Sequence, residues 1–391
     1  EWIMWMVLGV SSGITQGFAI LMAQDYGARK WKQLKKTVAH SYVLTTITAV
    51  LLFLTSQIFA HWILCFLNTP DNIIGMSLLY LRIVFCGIPV VAAYNVFAGV
   101  LRSLGNSRTP LVAMVIAAGI NIVLDLVFVA GLHMGVAGAA LATVIAQCFS
   151  ALYCFIIVRK IEIVHITRED FRAVPGLNRK LLSLGTPILF QDVIISVGGL
   201  AVQFVVNGYG FLFVAGFTAT NKLYGILEMA AISYGYAIVT YVGQNLGAGQ
   251  ITRIKKGVHI SGFLAFLTSA FISVMMFIFG KHILRMFISG DPAQTEQVLG
   301  IAWHYLSIMA SVLCILYFLY VYRSALQGLG DTMIPMLSGV VEFFIRVGVA
   351  LLLPKIMGQN GIFYAEITAW TGAAVLLAVS YYIRIRKFRE S

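Results

Sequence analysis

The stretch AQDYGARKWKQLKKTV, Ala23 to Val38, returns 220 residues later as GQNLGAGQITRIKKGV, Gly243 to Val258. Gln24/Gln244, Gly27/Gly247, Ala28/Ala248, Lys35/Lys255 and Lys36/Lys256 stay in register. Three more blocks follow in the same order. IFAHWIL (Ile58 to Leu64) pairs with IFGKHIL (Ile278 to Leu284), VLRSLGNSRTP (Val100 to Pro110) with ALQGLGDTMIP (Ala325 to Pro335), and MGVAG (Met134 to Gly138) with MGQNG (Met357 to Gly361). Four blocks at offsets of 220 to 225 mean that one structural unit is written twice.

Composition says what kind of unit it is. Of the 391 residues 60% are hydrophobic and 11% charged, with a mean hydropathy of +0.91, whereas a soluble domain carries about 25% charged residues. Apolar runs long enough to cross a bilayer as helices occur at about residues 2–23, 38–67, 73–100, 109–131, 135–158, 181–206, 211–242, 258–282, 297–321, 333–354 and 361–383. The fold class is therefore all-α, a polytopic membrane protein with eleven spans. The repeated spans lie six apart and so point the same way, which makes two pseudo-symmetric lobes related by an axis along the membrane normal. The sixth span has no mate ahead of residue 1, so a further N-terminal helix, twelve in all, is expected.

Between the copies lies RKIEIVHITREDFRAVPGLNRKLLSLGTP, Arg159 to Pro187, the longest interval not dominated by apolar residues. It divides the chain into an N-terminal lobe at 1–158, a linker at 159–180 and a C-terminal lobe at 181–391. Of the 27 Lys and Arg residues, 21 fall in the odd-numbered connections (Arg323 counted with the ninth) or the C-terminal tail, against three on the opposite side. Cytoplasmic loops carry such an excess. The linker and C-terminus are placed in the cytoplasm and residue 1 outside, in a multi-pass protein of the cell membrane.

The formal charge of +12 sits in short clusters between apolar runs, not in a basic stripe with interleaved aromatics. No nucleic-acid partner is expected. The cysteines form no CxxC pair and the histidines have no ligand spacing, so neither disulfide framework nor metal site is indicated. There is no GxxxxGK[ST] phosphate loop and no HExxH. An ATP-driven pump and an enzyme are both disfavoured. Two parallel lobes match a common plan of secondary transporters, with alternating access around a site at the lobe interface. An ion gradient, H+ or Na+, is the expected energy source, with no cofactor.

The repeated AQDYGA and GQNLGAG, together with AGVLRSLGNSRTPLV (Ala98 to Val112), NIVLDLVFVAGLHMGVAGAALAT (Asn121 to Thr143) and LLSLGTPILFQ (Leu181 to Gln191), resemble the multidrug and toxic compound extrusion (MATE) family. The likeness covers nearly the whole chain. It implies export of drugs or metabolites by proton or sodium antiport. The substrate expected is small, cationic or amphipathic, handled by a monomer in the lipid bilayer. A flippase for a lipid-linked oligosaccharide or polysaccharide precursor is the alternative; it would need more basic side chains in its cavity than Arg346, the one arginine expected deep in a span.

Ionisable groups inside a bilayer are costly and mark sites by default. Asn121 and Asp125 are four apart and share a helix face. A carboxylate beside an amide can hold a sodium ion or a proton; a hydrated helix cap is the plainer reading of Asp125. The family resemblance adds Thr143 on the next helix to this site. Asp192 and Glu228 lie near the middles of their spans, where coupling and helix tying are both open. Glu342 and Arg346, again four apart, read as a structural ion pair. Glu366, close to a helix end, reads as hydrated. Tyr94, Asn95, Gln191, Gln203 and Asn207 are polar positions in apolar spans that would line a substrate cavity. Gly9, Gly13 and Gly17 form overlapping GxxxG spacings that let another helix approach.

Overall fold

A backbone in hydrocarbon must satisfy its own N–H and C=O groups, which leaves a helical chain few alternatives. The computed structural model describes residues 2–66 and 71–390, and among these it contains no strand. The first helices are α1 (Trp2–Gly27), α2 (Trp31–Phe66), α3 (Asp71–Cys86), α4 (Ile88–Ser103), α5 (Arg108–Asp125) and α6 (Gly135–Arg159). A π-helical turn, Leu126–Gly131, continues α5. Two short 3-10 turns, Glu162–Val164 and Arg168–Phe171, lead to α7 (Leu177–Asn207), α8 (Phe211–Gly247) and α9 (Ile251–Phe287). Then come α10 (Pro292–Ser311), α11 (Leu313–Gly328), α12 (Met333–Leu352), the single turn α13 (Pro354–Met357), a 3-10 segment at Gly358–Phe363, and α14 (Tyr364–Glu390).

Among the described residues, nine helical stretches are long and apolar enough to cross a membrane, or ten with the bent pair α10–α11 taken as one span. The longest, Met333–Lys387, contains both α12 and α14, which pack on each other. Counted that way the helices follow the eleven expected spans. Residue 1 and the end of the second expected span, residue 67, lie outside the described residues.

The backbone repeats as the sequence does. After α1, Lys30 N–H bonds Asp25 O at 3.0 Å and Arg29 N–H bonds Tyr26 O at 3.0 Å; after α8, Gln250 N–H bonds Asn245 O at 2.8 Å and Gly249 N–H bonds Leu246 O at 3.0 Å. Both are Schellman helix ends, which need a left-handed residue just past the helix. Gly249 supplies it at φ 68° and Arg29 at φ 57°. The same motif closes α4 at Gly105 and α11 at Gly330. The matching spans are also broken at matching places. Gly87, followed by Pro89, separates α3 from α4, and Val312, 225 residues later, separates α10 from α11 with a 51° bend. Proline explains the first break, since it removes a donor and clashes with the preceding turn; nothing in the local sequence explains the second.

The chain forms two compact units, Val7–Leu189 and a second made chiefly of Phe190–Ser391. The division falls inside α7, two residues after Pro187. In the first unit α1 meets the start of α7 so closely that a Cβ on Gly185 would stand 2.8 Å from Ile14 O, and one on Gly17 would overlap the backbone of Leu184 and Gly185. Gly17 thus serves the packing its GxxxG spacing predicts. The central linker is part of this unit: His40 on α2 shares a 2.7 Å hydrogen bond with the Asn178 side chain, and its Nε2–H donates to Arg172 O at 3.1 Å. In the second unit the core is a stack of rings, with Phe217–Tyr305 centroids 4.9 Å apart, Tyr305–Phe363 4.8 Å and Phe213–Phe363 5.4 Å.

Candidate functional site

In the first unit α5 carries Asn121 and Asp125 one turn apart, and Asp125 is the last α-helical residue before the π-helical turn. Such turns occur mostly as single-turn insertions in α-helices, frequently at functional sites. Asn121 Nδ2 and Asp125 Oδ1 are both buried without a hydrogen-bond partner. Leaving a buried polar atom unpaired costs about 1 to 3 kcal/mol, and here two such atoms occur on one face. Thr143 lies on α6, which packs along α5 in the opposite direction. Phe128 and Gly138 face each other across the turn. From there Asp125 lies three residues back along one helix and Thr143 five residues along the other, within about one helical turn of each other in depth. The Thr143 hydroxyl donates to Ala139 O at 3.0 Å, leaving its oxygen free to accept or to coordinate. An amide, a carboxylate and a hydroxyl on adjacent helices carry the oxygen ligands that a small hard cation prefers.

The second unit treats its acids differently. Arg323 on α11 is bonded to Glu342 on α12, and its Nη2 also approaches Ser338 Oγ at 3.5 Å. The other Glu342 oxygen lies 3.6 Å from Arg346, whose Nη2 is 2.9 Å from Glu366 on α14 and whose Nη1 donates to Ile195 O at 3.3 Å. Two arginines and two glutamates thus alternate in a chain that is 4 to 15% exposed. Beside it, Tyr320 OH donates to Glu228 Oε1 at 2.9 Å, Tyr224 bonds the same carboxyl group, and the Arg323 guanidinium stands 5.7 Å from the Tyr320 ring centre. Gln191 on α7 packs 3.1 Å from a Cβ position at Gly339, with its Oε1 buried and unpaired, and Asp192 follows it on α7.

The pairing of Glu342 with Arg346 is as expected. Two placements differ from the sequence reading. Glu366 is not a hydrated helix end but the nearest acid to Arg346. Arg323, counted as a loop charge, is 5% exposed and inside α11, because that helix runs on to Gly328. Arg323 and Tyr320 are the members that sequence reasoning missed. Asp25 was missed as well: at the end of α1 it is 5% exposed and accepts a 2.7 Å hydrogen bond from Thr37. Of the expected cavity positions, Tyr94 and Asn95 belong to the first unit, where Tyr94 OH bonds Pro110 O at 3.4 Å. Gln203 and Asn207, on α7, bond each other at 2.8 Å on an exposed face.

Among the described residues, many apolar helices that bury polar clusters mark a multi-pass membrane protein, and its family match makes it a transporter. The chain belongs to the MatE family, which it matches over residues 2–127 and 187–352. It is 29% identical over 362 residues to the probable multidrug resistance protein YpnP of Bacillus subtilis, covering 91% of this chain and 79% of that one. To the probable multidrug resistance protein YoeA of the same organism it is 28% identical over 292 residues, which span 73% of this chain and 63% of YoeA. Among solved structures it superposes on an outward-facing multidrug resistance MATE family transporter with a TM-score of 0.92, and on a transporter of the same superfamily from Pyrococcus furiosus with 0.93. Each is 20% identical and is matched over 100% of this chain and 87% of the other, a likeness of fold.

Proposed function

We propose that the protein exports small organic cations, drugs or metabolites in exchange for protons or sodium ions by alternating access, with Asn121, Asp125 and Thr143 as the coupling site. The observation that carries this is the pair of buried, unpaired atoms, Asn121 Nδ2 and Asp125 Oδ1. A site that must load and release an ion in every cycle cannot be permanently satisfied by its own neighbours. Binding of H+ or Na+ at Asp125 would supply the partner its Oδ1 lacks in one state and withdraw it in the other. Glu228, held by two phenols, and Asp192 supply further acids in the second unit. The charges of both buried arginines are balanced by Glu342 and Glu366, which favours a cationic cargo over a lipid-linked glycan. In this reading the linker and C-terminus face the cytoplasm and the transporter works as a monomer.

The test is efflux of a panel of cationic dyes from vesicles containing the full-length protein under an imposed proton or sodium gradient. Export under one gradient and not the other names the ion. No gradient-dependent export of any dye would remove the reading.

A further inference from the structure

We propose that the second unit carries a binding site for an anionic phospholipid in a groove between α9 and α11, with α14 at its basic end. The groove has a volume of about 220 Å³ and is lined by His259, Gly262, Phe263, Phe266, Phe318 and Tyr322 among others. Lys256, His259, Phe263 and Phe266 follow each other at intervals of three, four and three residues along one exposed face of α9, so a single stripe runs from cationic to aromatic.

The internal repeat shows how the groove arises. At the offset of 220 the mate of Gly262 is Tyr42, and in the first unit that ring packs edge-on against Phe97 at 5.5 Å. Phe97 is in turn the mate of Tyr322 at the offset of 225. Where one copy fills the space with a phenol, the other has a glycine, whose missing Cβ would stand 3.6 Å from the Phe318 ring. The result is an apolar, ring-lined slot between α9 and α11, the kind of surface that takes an acyl chain.

One end of the slot is polar and positive. His259 lies 6.2 Å from Tyr382, and the Tyr382 and Tyr322 hydroxyls are 3.2 Å apart. About one helical turn further toward that end stand Lys255 and Lys256 on α9 and Arg386 on α14, with Arg253 and Lys387 beyond. Among the side chains described at this end, the acid Asp331 faces Arg384 at 3.9 Å. Basic residues flanking a spanning helix attract anionic headgroups. A phosphate would rest among the lysines and ring polar groups, with one chain running down past Phe263 and Phe266.

Native mass spectrometry of the full-length protein titrated with phosphatidylglycerol, and separately with phosphatidylcholine, tests the site. Phosphatidylglycerol should be retained preferentially. Gly262→Tyr, which restores the repeat mate, should abolish that retained lipid. Lys255→Gln with Lys256→Gln should weaken it by about fivefold per lysine, while Lys35→Gln with Lys36→Gln, the equivalent pair in the first unit, should leave it unchanged. Equal retention of both lipids, or unchanged binding by the Lys255/Lys256 variant, would overturn the proposal whether or not Gly262→Tyr folds.

Discussion

The two units repeat one backbone but differ in the partners they give Asp125 on one side and Glu342 with Glu366 on the other, while Asp25 of the first unit, bonded by Thr37, is held like the latter. In Val7–Leu189 the acid Asp125 stands beside an amide, and each has a buried atom with no partner. In the second unit Glu342 and Glu366 are matched by Arg323 and Arg346, and Glu228 is held by Tyr224 and Tyr320. A buried acid with its partners in place contributes to a fixed structure; one left short of a partner is poised to take up something else. The repeat has thus kept its helix ends and span breaks while the partners of these buried acids diverged.

The sharpest way to break this contrast is Asp125→Asn. It should abolish gradient-driven dye export while leaving the melting temperature of the purified protein within a few degrees of the parent. Undiminished export would make Asp125 as structural as the acids of the other unit. Glu342→Ala should do the reverse first. It strands Arg323 and strips Arg346 of one partner, a change that costs about 3 to 5 kcal/mol when a buried pair is broken and is read as a large fall in melting temperature. Replacing Arg323 and Glu342 together with Met and Leu should recover most of that loss; if it does not, the network does more than neutralise itself. A smaller effect is expected at the α1–α7 contact, where Gly185→Ala forces a methyl against Ile14 O and should cost about 1 to 3 kcal/mol. The smallest test compares the two helix ends. Arg29 holds a left-handed conformation that its mate Gly249 adopts freely, so Arg29→Gly should stabilise and Gly249→Arg destabilise, each by about 1 kcal/mol, as measured by thermal melting.

Much of the fold was legible because its signals are local. Bilayer-length apolar runs announce the spans, and blocks such as LRSLGN and LQGLGD announce the helix ends that Gly105 and Gly330 then close. The site was legible only where its partners are near in sequence: Asn121 with Asp125, and Glu342 with Arg346, are each one helical turn apart. Arg323 finds Glu342 nineteen residues on, and Arg346 finds Glu366 twenty residues on, across turns whose geometry no spacing rule supplies. Arg323 also sits close enough to the Gly328 helix end to pass for a loop charge. Gln203 and Asn207 teach the converse. Their spacing of four foretells the hydrogen bond they make, which their polarity alone does not reveal.

His40 holds the central linker at Arg172 and Asn178, so the exposed turn around Ala173, Pro175 and Gly176 is anchored on both sides to the Val7–Leu189 unit. Exposed polar turns are where insertions are tolerated best. A small rigid protein grafted there would stay aligned with that unit instead of tumbling, giving a membrane protein with little mass outside the bilayer a landmark by which single particles can be oriented.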